Sequence, residues 1–296
     1  MTNAIRTLMK SNAIFHAIAI LTVCIWGTTF VSSKLLIQSG LTPTEIFLYR
    51  FSVAYICLLA ISHKKFLANS LRDESLLFLA GIFGGSLYFI TENTALGITQ
   101  ASNVSLLVCT APVFTQLLSR LFYKEKFRKY FIPGTLIALS GVALVVFQSG
   151  RSFEVNPLGD FLTLCAALSW ALYCLVLRKF GNRYPTLFIT RKVFFYGVTS
   201  LLFYSIFQPF PLHLSLLPSP AVCLNLLFLA LIASLLCYIS WNSTVRIIGT
   251  TKASNYLYIN PLATIITAHL ILGETVTASS ILGAACIIGG VYLAER

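Results

Sequence analysis

Long apolar runs alternate along the chain with short breaks rich in Lys, Arg, Pro and Gly. Ten runs result, at about 13–37, 43–62, 75–97, 101–122, 130–148, 157–178, 185–207, 221–246, 252–272 and 278–294. Each is close to the roughly 20 residues that a bilayer-crossing helix needs. Pro43, Pro157, Pro185 and Pro220 fall at or just before run starts, where a missing N–H does little harm. The pattern predicts an all-α integral membrane protein with ten transmembrane helices. The first run, Ala13–Ile37, follows Arg6 and Lys10. It is too long for the apolar part of a signal peptide and is expected to stay as the first helix.

The second half repeats the first. Asn93 and Asn242, Pro112 and Pro261, Glu125 and Glu274, Gly134 and Gly283, and Gly141 and Gly290 are all 149 residues apart (261 − 112 = 149). Trp26 resembles Trp170 in setting, and Arg50 answers to Arg191 at a slightly different offset. Five helices per half is an odd number, so the two halves would enter the bilayer in opposite senses. The expectation is two inverted five-helix repeats, 1–150 and 151–296, around a central cavity near the midplane.

Composition agrees. Of 296 residues, 57% are hydrophobic and 10% charged, with mean hydropathy +0.84. A soluble domain carries about 25% charged residues. Lys and Arg concentrate in alternate loops, among them Lys64, Lys65, Arg72, Lys124, Lys126, Arg178, Arg183, Arg246 and Lys252. Cytoplasmic loops attract such residues, so both termini are expected inside. That placement and anionic lipid account for the net charge of +12 without nucleic acid. The eight cysteines lie scattered in apolar runs and form no CxxC or CxxH spacing, so buried small hydrophobes are expected rather than metal ligands. No GxSxG, HExxH, P-loop or GxGxxG is present, and no cofactor is expected.

The candidate chemistry lies inside the runs. In Gly81–Gly97, Gly81, Gly85, Tyr88 and Glu92 share one helical face, with Asn93 following. An acid in mid-membrane costs about 2.5–3.5 kcal/mol on insertion scales, so it normally faces protein or water. Glu92 therefore either lines a solute path or touches headgroup water near a helix end. Its role there could be to attract an amino group or to carry a proton. Trp26 and Trp170 sit mid-helix on stripes of hydroxyl and aromatic residues, which could stack on a flat solute or simply pack. Tyr238, Trp241 and Asn242 supply a more aromatic wall in the second half. Trp26, Tyr88, Glu92, Asn93, Trp170, Tyr238, Trp241 and Asn242 are the candidate solute-binding residues. Pro112 and Pro261, read as mid-helix breaks, are candidate hinges or static kinks. Arg50 is expected near the outer headgroups, paired with Glu45 or else with an Asn or carbonyl partner. The glycines of helices five and ten are expected to form peripheral supports or a dimer surface.

The order and doubling of several motifs resemble the EamA-type branch of the drug/metabolite transporter superfamily. They include IWGTTFVSSK (25–34), YRF (49–51), NTAL (93–96), KEKF (124–127), NP (260–261) and LGET (272–275). The likeness spans almost the whole chain. The family usually has glycine before Glu125, where this chain has Lys124. The resemblance implies a central cavity lined by helices one, three, four, six, eight and nine, and export of small metabolites such as amino acids. The expected protein is a monomeric or homodimeric secondary transporter of the bacterial inner membrane. It would move a small-molecule solute by alternating access, with a passive facilitator or channel as the alternative.

Overall fold

A computed structural model describes residues 2–99, 101–146, 156–272, 278–294 and 296. Glu274 and Arg151 lie outside the described residues, as do the side chains of Arg6 and Lys10. The described residues are helical with short connections, and contain no strand. Six helical rods are long and apolar enough to cross a membrane: Ala13–Gln38, Pro43–Ile61, Leu71–Ile98, Pro157–Phe180, Thr186–Phe207 and Pro220–Ile248. The protein is an all-α, multi-pass membrane protein.

The helices are α1 Thr2–Gln38, α2 Pro43–Ile61, α3 Leu71–Gly81, α4 Leu87–Ile98, α5 Ala101–Val108, α6 Ala111–Tyr123, α7 Phe131–Val146 and α8 Pro157–Phe180. They continue with α9 Thr186–Phe207, α10 Pro220–Leu227, α11 Cys237–Ile248, α12 Thr250–Asn255, α13 Asn260–Leu272 and α14 Ala278–Ala294. Two rods run on through π-helical segments: Ile82–Ser86 joins α3 to α4 across a kink at Gly85 (φ −127°, ψ −105°), and Phe228–Leu236 joins α10 to α11. Two other runs break. α5 and α6 are separated at Cys109–Thr110, and a 3₁₀ turn, Tyr256–Ile259, separates α12 from α13.

Local chemistry sets these ends. Thr42 and Glu45 form a reciprocal capping box at the start of α2. Asn156 accepts from the Gly159 N–H at the start of α8. Pro112 and Pro261 both lie in the first turn after a break, not in mid-helix, so their missing N–H groups are tolerated. The carbonyl of Leu257, four residues before Pro261, instead accepts the Cys109 thiol at 3.5 Å.

Packing shows what the glycines of these helices do within the chain. α7 lies directly on α14. A Cβ at Gly134 would fall 2.4 Å from the Ala294 nitrogen, and one at Gly290 would fall 2.4 Å from that of Ala138. These small faces bring two backbones together, as expected of supporting helices. Elsewhere α1 crosses α11 and α13, α2 and α3 pack on α9, and α4 packs on α8. The largest buried cluster, including Phe47, Phe51, Phe89 and Phe194, sits where these meet.

Candidate functional site

The two π segments occupy equivalent positions in the halves. Gly84 and Ala233 are 149 residues apart (233 − 84 = 149). π segments inside α-helices recur at functional sites, and here both carbonyls receive a side chain from another rod. Tyr238 Oη donates to the Gly84 oxygen. Trp26 Nε1 donates to the Ala233 oxygen at 2.9 Å. Gly84 must be glycine for a steric reason as well, since a Cβ there would lie 2.5 Å from the Tyr173 ring.

These bonds draw an aromatic cage together. The Trp26 ring lies 5.1 Å from Trp170, 5.9 Å from Tyr238 and 5.2 Å from Trp241, centroid to centroid. Tyr88 approaches Trp170 at 5.1 Å. The cage borders a small cavity of about 30 Å³, room for about two waters. Its walls include Trp26, Thr29, Tyr88, Glu92, Trp170, Tyr238 and Asn260. Glu92 is buried and accepts from Tyr88 Oη at 2.7 Å, one helical turn earlier.

Arg50 also lines the cavity, against expectation. It is only 2% exposed. Its Nε donates to Ser234 Oγ at 2.9 Å, and its guanidinium lies 4.3 Å from the Phe89 ring centroid. It does not pair with Glu45. That carboxylate caps α2 and accepts from the His213 backbone and ring, the latter at 2.9 Å. The signal for Arg50 was present in the sequence: Phe47, Phe51, Ala54 and Leu58 form a stripe, and Arg50 falls on the same face. Arg191 does not mirror it. Arg191 and Lys192 bind the carbonyls of Lys65 and Phe66 in the loop before α3.

Three candidate residues lie outside the cavity: Asn93, Trp241 and Asn242. Asn93 is fully buried and points its amide toward the Pro43 oxygen at 3.4 Å. Trp241 packs behind Trp26 and Trp170 and does not line the cavity.

A second, open cavity of about 530 Å³ lies at the basic end of the bundle. Glu125, Lys126, Arg178, Arg246 and Lys252 ring it, and Asn242 and Gln116 reach its inner wall. Arg178 pairs with Glu125 at 2.6 Å on its rim. Between vestibule and cage stands a hydrogen-bonded row. Tyr173 Oη donates to Asn242 Oδ1 at 2.6 Å, and Asn242 Nδ2 donates to Thr190 Oγ1 at 2.9 Å. Tyr173 in turn packs against Trp170. At the opposite end Lys34 joins α1 to the end of α4, donating to the carbonyls of Leu96 at 2.6 Å and Thr99 at 3.1 Å.

A buried aromatic cage beside an open basic vestibule suits a carrier, and the comparisons decide its kind. The EamA-like transporter family matches residues 14–147 and again 157–295. The chain belongs to the EamA-like transporter family.

Membership places the chain among secondary transporters of small metabolites, not among enzymes. The uncharacterized transporter YdfC of Bacillus subtilis is 29% identical, over 92% of this chain and 87% of its own. A "probable terminal-alkyne amino-acid exporter" of Streptantibioticus cattleyicolor is 26% identical, over 94% and 92%. A "probable amino-acid metabolite efflux pump" of Salmonella typhimurium is 25% identical, over 93% of each. A solved crystal structure shares the fold with a TM-score of 0.74 at 16% identity, over 96% of each chain. The EamA resemblance implied six cavity-lining runs. The cage draws on all six and adds the second, through Arg50.

Proposed function

We propose that this EamA-like protein exports a small amino-acid-like metabolite across the bacterial inner membrane by alternating access. Two inverted five-helix halves, 1–150 and 151–296, would rock about the aromatic cage, with both termini in the cytoplasm. Several features support the duplication: the paired π segments at Gly84 and Ala233, the helix breaks before Pro112 and Pro261, and the double family match. Pro112 and Pro261 would serve as bending points. Trp26, Tyr88, Glu92, Trp170 and Tyr238 would contact the solute, and Asn242 would meet it at the entrance. The amino-acid assignment leans on the names of the two relatives.

The carrying observation is the pair of closures around one cage. The basic vestibule stops at Tyr173, Asn242 and Thr190, and the far end is held by Lys34. A carrier needs a site that is never open to both sides at once. Metabolite profiling of cells and medium, with and without overexpression, should show one or a few solutes moving outward. In vesicles the same solutes should show trans-stimulated counterflow. Movement without trans-stimulation would assign the chain to the passive facilitators instead.

A further inference from the structure

The cage holds more hydrogen-bonding capacity than the protein uses. Arg50 has five N–H donors, and its Nε goes to Ser234. Among the described residues no protein acceptor takes its terminal nitrogens. Trp170 Nε1 is buried and likewise has no acceptor. On the acceptor side, one Glu92 oxygen receives Tyr88, and no described donor reaches the other. Asn260 Oδ1 is buried without a donor. All four residues line the same small cavity. Buried polar groups are almost always satisfied, so these exceptions call for water or a bound solute to complete them.

The spare groups divide by sign. Arg50 and Trp170 offer donors, and Arg50 a positive charge. Glu92 and Asn260 offer acceptors, and Glu92 carries a carboxyl. Arg50 and Glu92 do not form an ion pair with each other: Glu92 takes its hydrogen bond from Tyr88 and Arg50 gives its own to Ser234. Guanidinium forks recognise carboxylates in a planar, bidentate way. An ammonium group seeks carboxylate and carbonyl oxygens. Trp26, Trp170 and Tyr238 leave ring faces for an apolar remainder.

Resting on the carrier reading above, we propose that the cage is a zwitterion site. Arg50 anchors the carboxylate of the solute, and Glu92 anchors its ammonium group. The solute class is the free α-amino acid or a close relative with both charged ends, and not its amide, ester or N-acyl form. The basic vestibule fits this site, since its positive field orients the carboxylate end of a zwitterion toward the basic rim. The cage is contracted in the conformation seen, and it widens when the Tyr173–Asn242–Thr190 row parts to admit the solute.

The test compares solutes before it compares variants. Proteoliposomes are loaded with a mixture of the twenty common amino acids, with their methyl esters, or with their N-acetyl derivatives. Efflux is followed by mass spectrometry against protein-free vesicles. At least one amino acid should leave about tenfold or more faster than its ester and its N-acetyl form, a factor of ten being about 1.4 kcal/mol of recognition. Arg50→Gln should abolish the preference over the ester, Arg50→Lys should retain part of it, and Glu92→Gln should abolish the preference over the N-acetyl form. Where Arg50→Gln fails to fold, the wild-type solute comparison decides. Equal rates for all three forms overturn the proposal. So does efflux of some other solute class from overexpressing cells with no amino acid moving in vesicles, although the transporter reading then survives. Absence of efflux in both systems sinks that reading together with this one.

Discussion

Trp26 donates its indole N–H to the carbonyl oxygen of Ala233 at 2.9 Å, fastening a ring on α1 to the π segment between α10 and α11. Trp26→Phe keeps most of the ring packing and removes the donor. A net loss of about 1 kcal/mol is expected, the usual worth of one buried hydrogen bond. Trp26→Ala also empties the centre of the cage, and about 3–5 kcal/mol is expected. Thermal unfolding in detergent should rank the two variants in that order, with transport lost in the second.

The row of Tyr173, Asn242 and Thr190 stands between vestibule and cage. Tyr173→Phe removes its first bond and leaves the ring in place. A cysteine introduced at Thr29, on the cage wall, should then react faster with a water-soluble thiol reagent from the vestibule side. An unchanged labelling rate would show that this row is not the barrier.

Asn93 and Asn242 occupy equivalent places 149 residues apart (242 − 93 = 149) but do different things. Asn93 is fully buried near the Pro43 oxygen, while Asn242 ties two helices at the vestibule. Asn93→Ala is expected to lower stability by about 1 kcal/mol and leave the transport rate near wild type. Asn242→Ala should change the transport rate more than it changes the melting temperature. Parallel melting and efflux measurements separate the two.

Lys124 ends α6 in the left-handed region, at φ 54°. That conformation costs an L-residue roughly 1–2 kcal/mol, and glycine avoids most of this. Lys124→Gly should therefore raise the melting temperature. Lys124→Asn removes the same surface charge and tolerates this backbone but keeps a Cβ, so it should give a smaller gain. A melting temperature that falls in both variants would contradict the assignment.

Much of this was legible in the apolar runs, because a bilayer leaves the backbone few ways to satisfy itself. Ten spans were expected, and among the described residues six helices are long and apolar enough to cross a membrane; of the eight candidate residues, Trp26, Tyr88, Glu92, Trp170 and Tyr238 line one cavity. What escaped was direction. Arg50 and Glu45 lie five residues apart on α2 and looked like partners, but α2 turns one toward the cage and the other toward His213. Repeat symmetry misled in a similar way. It equated Arg50 with Arg191, although of the two only Arg50 reaches the cavity. The glycines of α7 and α14 were legible as close-packing residues, but not as each other's partners. Proline breaks were read correctly as interruptions, yet one turn too deep within their helices.

The cage volume of about 30 Å³ bears on the rest of the cell. A void that holds about two waters cannot carry an unbroken water file from one face of the membrane to the other. Protons and small ions hopping along such a file would drain the energised membrane through every idle copy of the protein.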